Sequence, residues 1–237
     1  LLCGDGTKAE DVKILLNAGT VKLILTDPPY GVAYVESKSG FKQRLSATKI
    51  IANDHFQTDA EYHKFSRAWL EAVKPYLAKR NNAYIFNSDK MVFALRNAML
   101  DSGFYFSQLL IWVKTQAVIG RLDYLPQHEL IAYGWHGTHQ FERSKDKSVL
   151  ICQKPAKSKL HPTMKPISLL RNLILNSSKI GDVVYDPFGG SGCTMIASEQ
   201  TRRKCCMIEL DPEYCQTIIN RFEKLTGIKA KPIYYEK

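Results

Sequence analysis

Residues 21–30 read Val-Lys-Leu-Ile-Leu-Thr-Asp-Pro-Pro-Tyr, an apolar run that ends in a stiff polar turn. A short continuous apolar run followed by a turn is typical of a central parallel strand buried on both faces. The two prolines end the strand, because neither has an amide hydrogen to donate. The Asp27 carboxylate and the Tyr30 ring are therefore expected at the carboxyl end of a strand, where open α/β sheets bind their ligands.

The four residues of this turn, Asp27, Pro28, Pro29 and Tyr30, are the candidate catalytic residues. Asp27 offers a hydrogen-bond acceptor, the proline carbonyls accept without a competing amide, and Tyr30 offers an aromatic face. Such a set suits a planar group that carries an NH₂. A plain turn at the end of a strand has a similar composition, so this stretch alone leaves both interpretations open.

A second stretch, residues 183–194, reads Val-Val-Tyr-Asp-Pro-Phe-Gly-Gly-Ser-Gly-Cys-Thr. It predicts a strand, an acidic residue, a glycine-rich turn and the start of a helix, so that a ligand can approach backbone amides closely. It matches neither the dinucleotide fingerprint nor a phosphate-binding P-loop. The next apolar strand ends in Glu209, where an acidic residue usually holds ribose hydroxyls. This half of the chain predicts a nucleoside site.

The two stretches together resemble the S-adenosylmethionine-dependent DNA amino-methyltransferases. The order, with Asp-Pro-Pro-Tyr before Asp-Pro-Phe-Gly-Gly-Ser-Gly, is similar to their permuted beta class, and His-Pro-Thr-Met-Lys-Pro at 161–166 resembles a third element of that class. The resemblance implies S-adenosylmethionine as cofactor and double-stranded DNA as partner. It also implies an α/β fold with a doubly wound, mostly parallel sheet of the Rossmann-like methyltransferase type that contains one antiparallel strand.

Several cofactor-binding residues follow from the resemblance. Asp5 is carried over as a cofactor contact, although it can equally cap the helix that follows it. Lys165 and Ser168 are candidates for the carboxylate of the cofactor's methionine portion, with a solvated lysine as the alternative for Lys165. The full set of cofactor candidates is Asp5, Asp27, His161, Thr163, Lys165, Ser168, Asp186, Pro187, Phe188, Gly190, Ser191, Gly192, Thr194, Glu209 and Leu210.

The chain is basic, with 33 lysines and arginines against 23 acidic residues and a net charge of +10. This balance favours a nucleic-acid partner, although basic surfaces also serve solubility. The basic residues cluster beside the motifs rather than evenly. The DNA-binding candidates are Lys38, Lys42, Arg44, Arg121, Arg143, Lys157 and Lys159.

A single catalytic domain is expected over residues 1–237, because this length suits one α/β domain. Residues 31–57 have no clear period and predict a mobile basic loop beside the active site, or an insertion without a role. Residues 135–160 leave room for only a small target-recognition region. Because several side chains are needed to read base edges, we expect short or relaxed sequence specificity.

The expected reaction is direct methyl transfer to an exocyclic amine of a base flipped out of the duplex. Aspartate at position 27 resembles the adenine enzymes more than the cytosine enzymes, and it differs from the Asn-Pro-Pro-Tyr of glutamine methyltransferases. No metal is required. Cytosine N4 methylation, RNA methylation and a catalytically silent nucleic-acid-binding domain remain alternatives. A site that pairs His128 with Glu129 is rejected, because adjacent strand residues point to opposite faces.

The cysteines, the apolar runs and the first residue of the chain give further expectations. Six cysteines without a Cys-x-x-Cys pair predict reduced thiols in a cytoplasmic protein without a zinc site. No apolar run reaches transmembrane length, so no membrane partner is expected. By analogy with the resembled class we expect a homodimer. The chain begins at Leu1 rather than methionine, which suggests a piece of a longer protein.

Overall fold

The computed structural model describes residues 1–17, 19–31, 57–117, 123–143, 145–153 and 164–233. Its strands form one eight-stranded sheet in the order β1-β8-β7-β2-β3-β5-β4-β6, in which β5 alone runs antiparallel to its neighbours. This arrangement confirms the predicted fold class, including the single antiparallel strand. The strands are β1 Leu2–Cys3, β2 Val21–Thr26, β3 Leu77–Asn87, β4 Phe104–Val113, β5 His128–His136, β6 Val149–Ile151, β7 Val183–Asp186 and β8 Lys204–Glu209.

Six helices are described around this sheet: α1 Ala9–Leu16, α2 Asp59–Val73, α3 Val92–Asp101, α4 Ile167–Ser177, α5 Cys193–Gln200 and α6 Pro212–Thr226. Helix α2 begins at a capping box made by Thr58 and Glu61. It ends at Val73 because Pro75 follows in a short 3₁₀ turn over Lys74–Tyr76, after which the chain enters β3.

Alternate residues of the central strands divide between two apolar cores, one on each face of the sheet. In β2, Leu23 and Leu25 face the core covered by α4 and α5, whereas Ile24 faces the core covered by α1, α2 and α3. Leu23, Ile24 and Leu25 are completely buried. A strand with apolar side chains on both faces is what a helix-covered parallel sheet requires. The apolar run at 21–26 therefore lies at the centre of the fold, as its sequence predicts.

The chain changes direction across the sheet at the pair β2 and β7. From β2 it continues to β3 on one side, and from β7 it continues to β8 on the other side. The carboxyl ends of these two strands are tied together, because the Thr26 hydroxyl donates to Asp186 Oδ1 over 2.7 Å. Open α/β sheets bind ligands at such a topological switch point. Both sequence motifs thus meet at one edge of the sheet.

Candidate active site and cofactor cleft

The turn after β2 holds its acidic and aromatic side chains against each other. The Tyr30 hydroxyl donates to Asp27 Oδ1 over 2.7 Å, and the Tyr30 ring packs beside the core covered by α4 and α5. Gly31 follows at a φ of +63°, and its carbonyl accepts from the Gln57 amide at 2.9 Å. The two ends of the segment 32–56, which lies outside the described residues, therefore meet beside Tyr30.

Lys165 reaches this turn from the segment before α4. Its Nζ lies 2.5 Å from Asp27 Oδ2 and 3.1 Å from Glu129 Oε2. Only 7% of its side chain is exposed, so the interpretation of Lys165 as a solvated lysine is wrong. Its contact with the methionine portion of a cofactor stays a prediction, because in this structure its ammonium contacts two carboxylates.

Glu129 joins the site from the antiparallel strand β5. Its Oε1 lies 2.9 Å from the Nζ of Lys114, which follows the end of β4 and is 5% exposed. Glu129 and Trp112 are register partners across β4 and β5, so Lys114 lies immediately beside that pair. The Lys114 ammonium also lies 5.4 Å from the centre of the Trp112 ring. The two lysines and two carboxylates, with Tyr30, form a compact charged cluster at the edge of the sheet.

Burial and charge act in opposite directions on these groups. Burial raises the pKa of Asp27, and the Lys165 ammonium offsets part of that increase. Burial also favours the neutral form of Glu129, but Lys165 and Lys114 together hold the pKa of this carboxyl below its ordinary value. Burial disfavours the Lys165 ammonium, yet the two carboxylates keep its pKa above the ordinary value. Charge and burial together therefore favour the ionised forms of Glu129 and Lys165, whereas the pKa of Asp27 lies above its ordinary value.

Asp186 occupies the equivalent position at the end of β7. Its Oδ1 accepts from the Thr26 hydroxyl and, over 3.1 Å, from the Phe188 amide, and 3% of the residue is exposed. Burial, partly offset by these hydrogen bonds, raises the pKa of Asp186 to about 7. The described contacts of Asp186 include no cation, in contrast to those of Asp27.

The glycine-rich turn brings backbone amides to Glu209 at the end of β8. Glu209 Oε2 accepts from the Gly190 amide at 2.7 Å, and Oε1 accepts from the Asp211 amide at 2.8 Å. Gly192 lies at a φ of +78° directly before α5, which begins without a side-chain cap. Burial raises the pKa of Glu209. A carboxylate beside open helix amides fits a nucleoside that carries a polar tail.

Asp5 lies next to this turn, but it does not cap the following helix. Helix α1 begins at Ala9 after Lys8, and the Asp5 Oδ1 accepts instead from the Thr7 amide and hydroxyl. A Cβ on Gly6 would lie 2.6 Å from the Pro187 carbonyl oxygen, so the two turns pack closely. The cap interpretation of Asp5 is wrong, because a tight turn at 5–7 separates it from the helix.

The other predicted residues divide between the cleft, the surface and undescribed segments. Ser168 lies on the first turn of α4 with its hydroxyl 3.1 Å from Cys152 Sγ, and Arg143 lies at the surface near Asn172. Leu210 is 43% exposed beside Glu209. Around the glycine turn lie Pro187, Phe188, Ser191 and Thr194. Outside the described residues lie Lys38, Lys42, Arg44, Arg121, Lys157, Lys159, His161 and Thr163.

The structure adds Glu129 and Lys114, which sequence reasoning missed. A site shared by His128 and Glu129 was rejected because adjacent strand residues point to opposite faces. That argument does not exclude Glu129 alone, and its side chain points into the charged cluster. It shares a strand face with Ile131 and Tyr133, both of which pack in the core covered by α4 and α5. A charged residue in the apolar register at the end of a buried strand is the signal that identifies it.

Among the described residues, no group of three or more histidine, cysteine or acidic side chains is placed to hold a metal ion. Within the same ranges, no helix is both long and apolar enough to cross a membrane.

Comparison with known proteins decides the family. The profile of the N6/N4 methyltransferases, described as DNA methylase, matches residues 21–221 and so covers most of the chain. The chain belongs to this DNA methylase family. The matched range contains every residue of the charged cluster as well as the cleft at Asp186 and Glu209.

Individual relatives agree with this assignment. The type II methyltransferase M.HpaI of Haemophilus parainfluenzae is 26% identical to this DNA methylase, over 94% of this chain and 74% of its own length. Among solved structures, the M1.HpyAVI–SAM complex aligns with a TM-score of 0.68 at 23% identity, covering 93% of this chain and 98% of its own. The cytosine-N4-specific PvuII DNA methyltransferase aligns with a TM-score of 0.69 at 18% identity, covering 94% and 88%. At these identities, the solved structures support the fold.

Proposed function

We propose that this DNA methylase transfers a methyl group from S-adenosylmethionine to the N6 amino group of adenine in double-stranded DNA, as a member of the permuted beta class. The observation that carries the proposal is the position of Asp27 and Tyr30 at the switch point of the sheet, tied through Thr26 to the cofactor-type turn at Asp186. An acceptor suited to an amine beside a cleft suited to a nucleoside supports this proposal.

The cofactor would lie over the glycine turn, between Glu209 and Asp186. Glu209 is suited to the ribose hydroxyls, because its carboxylate lies at the end of β8 beside the Gly190 amide. Bound there, S-adenosylmethionine supplies an electrophilic methyl group on a positively charged sulfur. Asp186 and Asp5 would add negative potential on that side of the cleft, which favours a positively charged ligand.

The turn after β2 would bind the amino group of the target base. The target base leaves the stack, because its amino group is paired and shielded in the duplex. Asp27 and the Pro28 carbonyl would then accept hydrogen bonds from the two N–H groups of the amine, which directs the nitrogen lone pair toward the methyl group, while the Tyr30 ring contacts the base. The nitrogen would form the new N–CH₃ bond as the methyl group leaves the sulfur, and would then release one of its protons. Positioning and charge stabilisation account for the rate. No nucleophilic cysteine takes part, since an exocyclic amine attacks by itself.

Adenine is preferred to cytosine because position 27 is aspartate, as the resemblance implies for the adenine enzymes. The same acceptor pair also suits the N4 amine of cytosine, which makes that base the second candidate. Short or relaxed sequence specificity is proposed from the length of the region 135–160. Part of this region belongs to the sheet, since Trp135 and His136 end β5 and Val149–Ile151 form β6.

The remaining parts of the proposal concern the setting. The basic segments would contact DNA phosphates, and the loop predicted over residues 31–57 would act as a flap beside Tyr30, because its end residues Gly31 and Gln57 are hydrogen-bonded to each other there. We place the reaction in the cytoplasm, where DNA and reduced thiols occur together. A homodimer is proposed by analogy with the resembled class.

The deciding experiment is methyl transfer from labelled S-adenosylmethionine to unmethylated plasmid DNA, followed by nucleoside analysis of the digest. Label on N6-methyl-2′-deoxyadenosine is the expected result. Label on N4-methyl-2′-deoxycytidine would keep the reaction and change the base. Label on RNA alone, or cofactor binding without any transfer, would overturn the proposal.

A further inference from the structure

The charged cluster contains more groups than amine recognition requires. Asp27 alone would accept from a target amine, yet Glu129, Lys165 and Lys114 are placed around it with little exposure to water. Buried charges are costly unless each has a partner. When all four groups are ionised, the two carboxylates and two ammonium groups sum to zero.

Lys165 occupies the place where an amine would bind. Its Nζ lies 2.5 Å from Asp27 Oδ2, within hydrogen-bond distance, and 5.6 Å from the centre of the Tyr30 ring. These are the acceptor and the aromatic face that the proposed reaction offers to the amino group of the base. An ammonium and an exocyclic amine both donate N–H groups, so they compete for the same acceptor.

Glu129 gives the same ammonium a second partner. Its Oε2 lies 3.1 Å from Lys165 Nζ, and a lysine has three hydrogens to donate. The Tyr30 hydroxyl oxygen lies 3.4 Å from that nitrogen. Lys165 can therefore release Asp27 and keep a carboxylate partner without leaving the buried site.

Lys114 holds Glu129 in position for this exchange. The Lys114 ammonium contacts Glu129 Oε1 at 2.9 Å, which leaves Oε2 for Lys165. The backbone of Lys114 is fixed by hydrogen bonds to Gln127, because its amide donates to the Gln127 carbonyl and its carbonyl accepts from the Gln127 side chain. The Glu129 carboxylate is thus anchored through the oxygen that does not contact Lys165.

We propose that Lys165 occupies the amine position in the free protein, and that Glu129 is the positioning residue that holds the Lys165 ammonium when the target amine takes its place at Asp27. This inference rests on the proposed function only in assuming that the substrate group is an exocyclic amine held by Asp27. It holds for adenine and for cytosine alike.

The exchange makes a prediction that simple charge balance does not make. Without the carboxylate of Glu129, an incoming amine leaves Lys165 buried without an anionic partner, so the bound base is disfavoured. Removing the Lys165 ammonium as well removes that cost. Removing the Lys114 ammonium instead restores the net charge of the cluster but leaves Lys165 without a partner.

The experiment compares Glu129→Gln, Lys165→Met, the double variant Glu129→Gln/Lys165→Met and the charge-matched control Glu129→Gln/Lys114→Met. Methyl transfer to unmethylated plasmid DNA is followed at about pH 8.5, which favours the ionised form of Asp27. The readouts are kcat/KM for DNA, the dissociation constant of S-adenosylmethionine from equilibrium dialysis, and the melting temperature.

We expect Glu129→Gln to lower kcat/KM for DNA roughly 100-fold, the order expected when a buried charge loses its partner. Cofactor affinity should stay within about twofold, because the contacts described for Glu129 are with Lys114, Lys165 and Tyr30. Adding Lys165→Met to Glu129→Gln should raise kcat/KM for DNA about tenfold or more, whereas adding Lys114→Met should not raise it.

The proposed exchange would be overturned if the losses of kcat/KM caused by Glu129→Gln and Lys165→Met were additive in the double variant. It would also be overturned if Lys114→Met restored kcat/KM as much as Lys165→Met does. Should Glu129→Gln fail to fold, Glu129→Asp replaces it, since it keeps the charge but withdraws the carboxylate from Lys165, and Lys165→Met should again restore activity. A wild-type protein that methylates no amine would remove the proposed function and this inference together. An active wild type with additive variants would remove only the inference.

Discussion

The two halves of the same sheet edge hold their carboxylates by different means. Glu209 accepts from backbone amides of the neighbouring turns, at Gly190 and Asp211. Asp27 instead accepts from the side chain of Lys165, which is 138 positions away along the chain. Glu209 is therefore held by backbone amides of the turns around it, whereas Asp27 is held in part by a side chain from a distant segment.

This difference has an electrostatic consequence. The carboxyls of Asp186 and Glu209 are buried among neutral donors, and the pKa of each is raised. A positively charged ligand would favour their ionised form. The cluster around Asp27 contains its own two lysines, which balance its two carboxylates when all four groups are ionised. One half of the edge is thus suited to a cation and the other to an uncharged amine.

The largest expected effect tests the catalytic half. Asp27→Asn replaces one carboxylate oxygen by an NH₂ that cannot accept from the amine or from Lys165. We expect kcat/KM for methyl transfer to fall about 100- to 1000-fold, the order seen when one group that stabilises a transition state is removed. The measurement is label incorporation into plasmid DNA, with binding of S-adenosylmethionine measured separately. The exposed Asp89→Asn is the control, and full turnover by the Asp27 variant would refute the assigned role.

The next effect tests the absence of a cation around Asp186 in the described structure. Its pKa of about 7 lies above the ordinary value of 3.8, so the folded state binds this proton more tightly. The protonated Asp186 carboxyl therefore contributes its full stabilisation to the folded state below about pH 4, and this contribution is lost as the pH rises toward 7. We therefore expect the free energy of unfolding of Asp186→Asn, measured relative to that of the wild type, to increase by roughly 2–3 kcal/mol as the pH rises from about 5 to about 8.

Asparagine is a suitable substitute there, because the Thr26 hydroxyl and the Phe188 amide donate to Oδ1, and the Thr194 hydroxyl, which also hydrogen-bonds to this carboxyl, can accept as well as donate. Urea unfolding of both proteins at the two pH values measures the difference in the free energy of unfolding. The exposed Asp89→Asn should show no comparable gain. A pH-independent difference for Asp186→Asn would contradict the raised pKa.

A smaller effect is expected at the ribose side of the cleft. Glu209→Gln keeps an oxygen for the Gly190 amide but presents an NH₂ toward the Asp211 amide, which is also a donor. We expect the dissociation constant of S-adenosylmethionine to rise about tenfold, as for the loss of one hydrogen bond to a charged group. Equilibrium dialysis measures it, with the exposed Glu199→Gln as control. Unchanged affinity would place the ribose elsewhere.

The smallest effect concerns the glycine turn itself. Gly192 has a φ of +78°, and a Cβ there would lie 3.0 Å from Ile218 Cγ1. We expect Gly192→Ala to lower the free energy of unfolding by about 1–2 kcal/mol. Gly181→Ala is the matched control, since its φ is +85° but no atom lies within 4 Å of the new Cβ. Equal losses in both variants would show that the contact with Ile218 adds nothing.

Much of the fold was predictable because its signals are local. The apolar run before Asp27 and the run before Asp186 both form central strands, as their sequences predict. Apolar residues recur at helical spacing over residues 59–79, yet α2 ends at Val73 because Pro75 follows, and Leu77 already belongs to β3. Periodicity alone does not mark where a helix gives way to a strand, since both bury apolar side chains.

The residues of the site also differ in whether local sequence signals could place them. Asp27, Tyr30, Asp186 and Glu209 follow strands directly, so each could be placed at the carboxyl edge before the structure was known. Glu129 lies at the amino end of β5, and only the antiparallel direction of that strand brings it to the same edge. Lys114 and Lys165 reach the site from loops, whose course no periodic pattern predicts.

The sequence by itself determined the strands, the turns that end them and the chemistry of each turn, because backbone restriction by proline, freedom at glycine and apolar period act within a few residues. The tertiary structure decided which charges meet: that Lys165 lies between Asp27 and Glu129, and that Lys114 supports Glu129. The physical reason is that a buried ion pair requires both partners at one point in space, and strand order and direction determine that point.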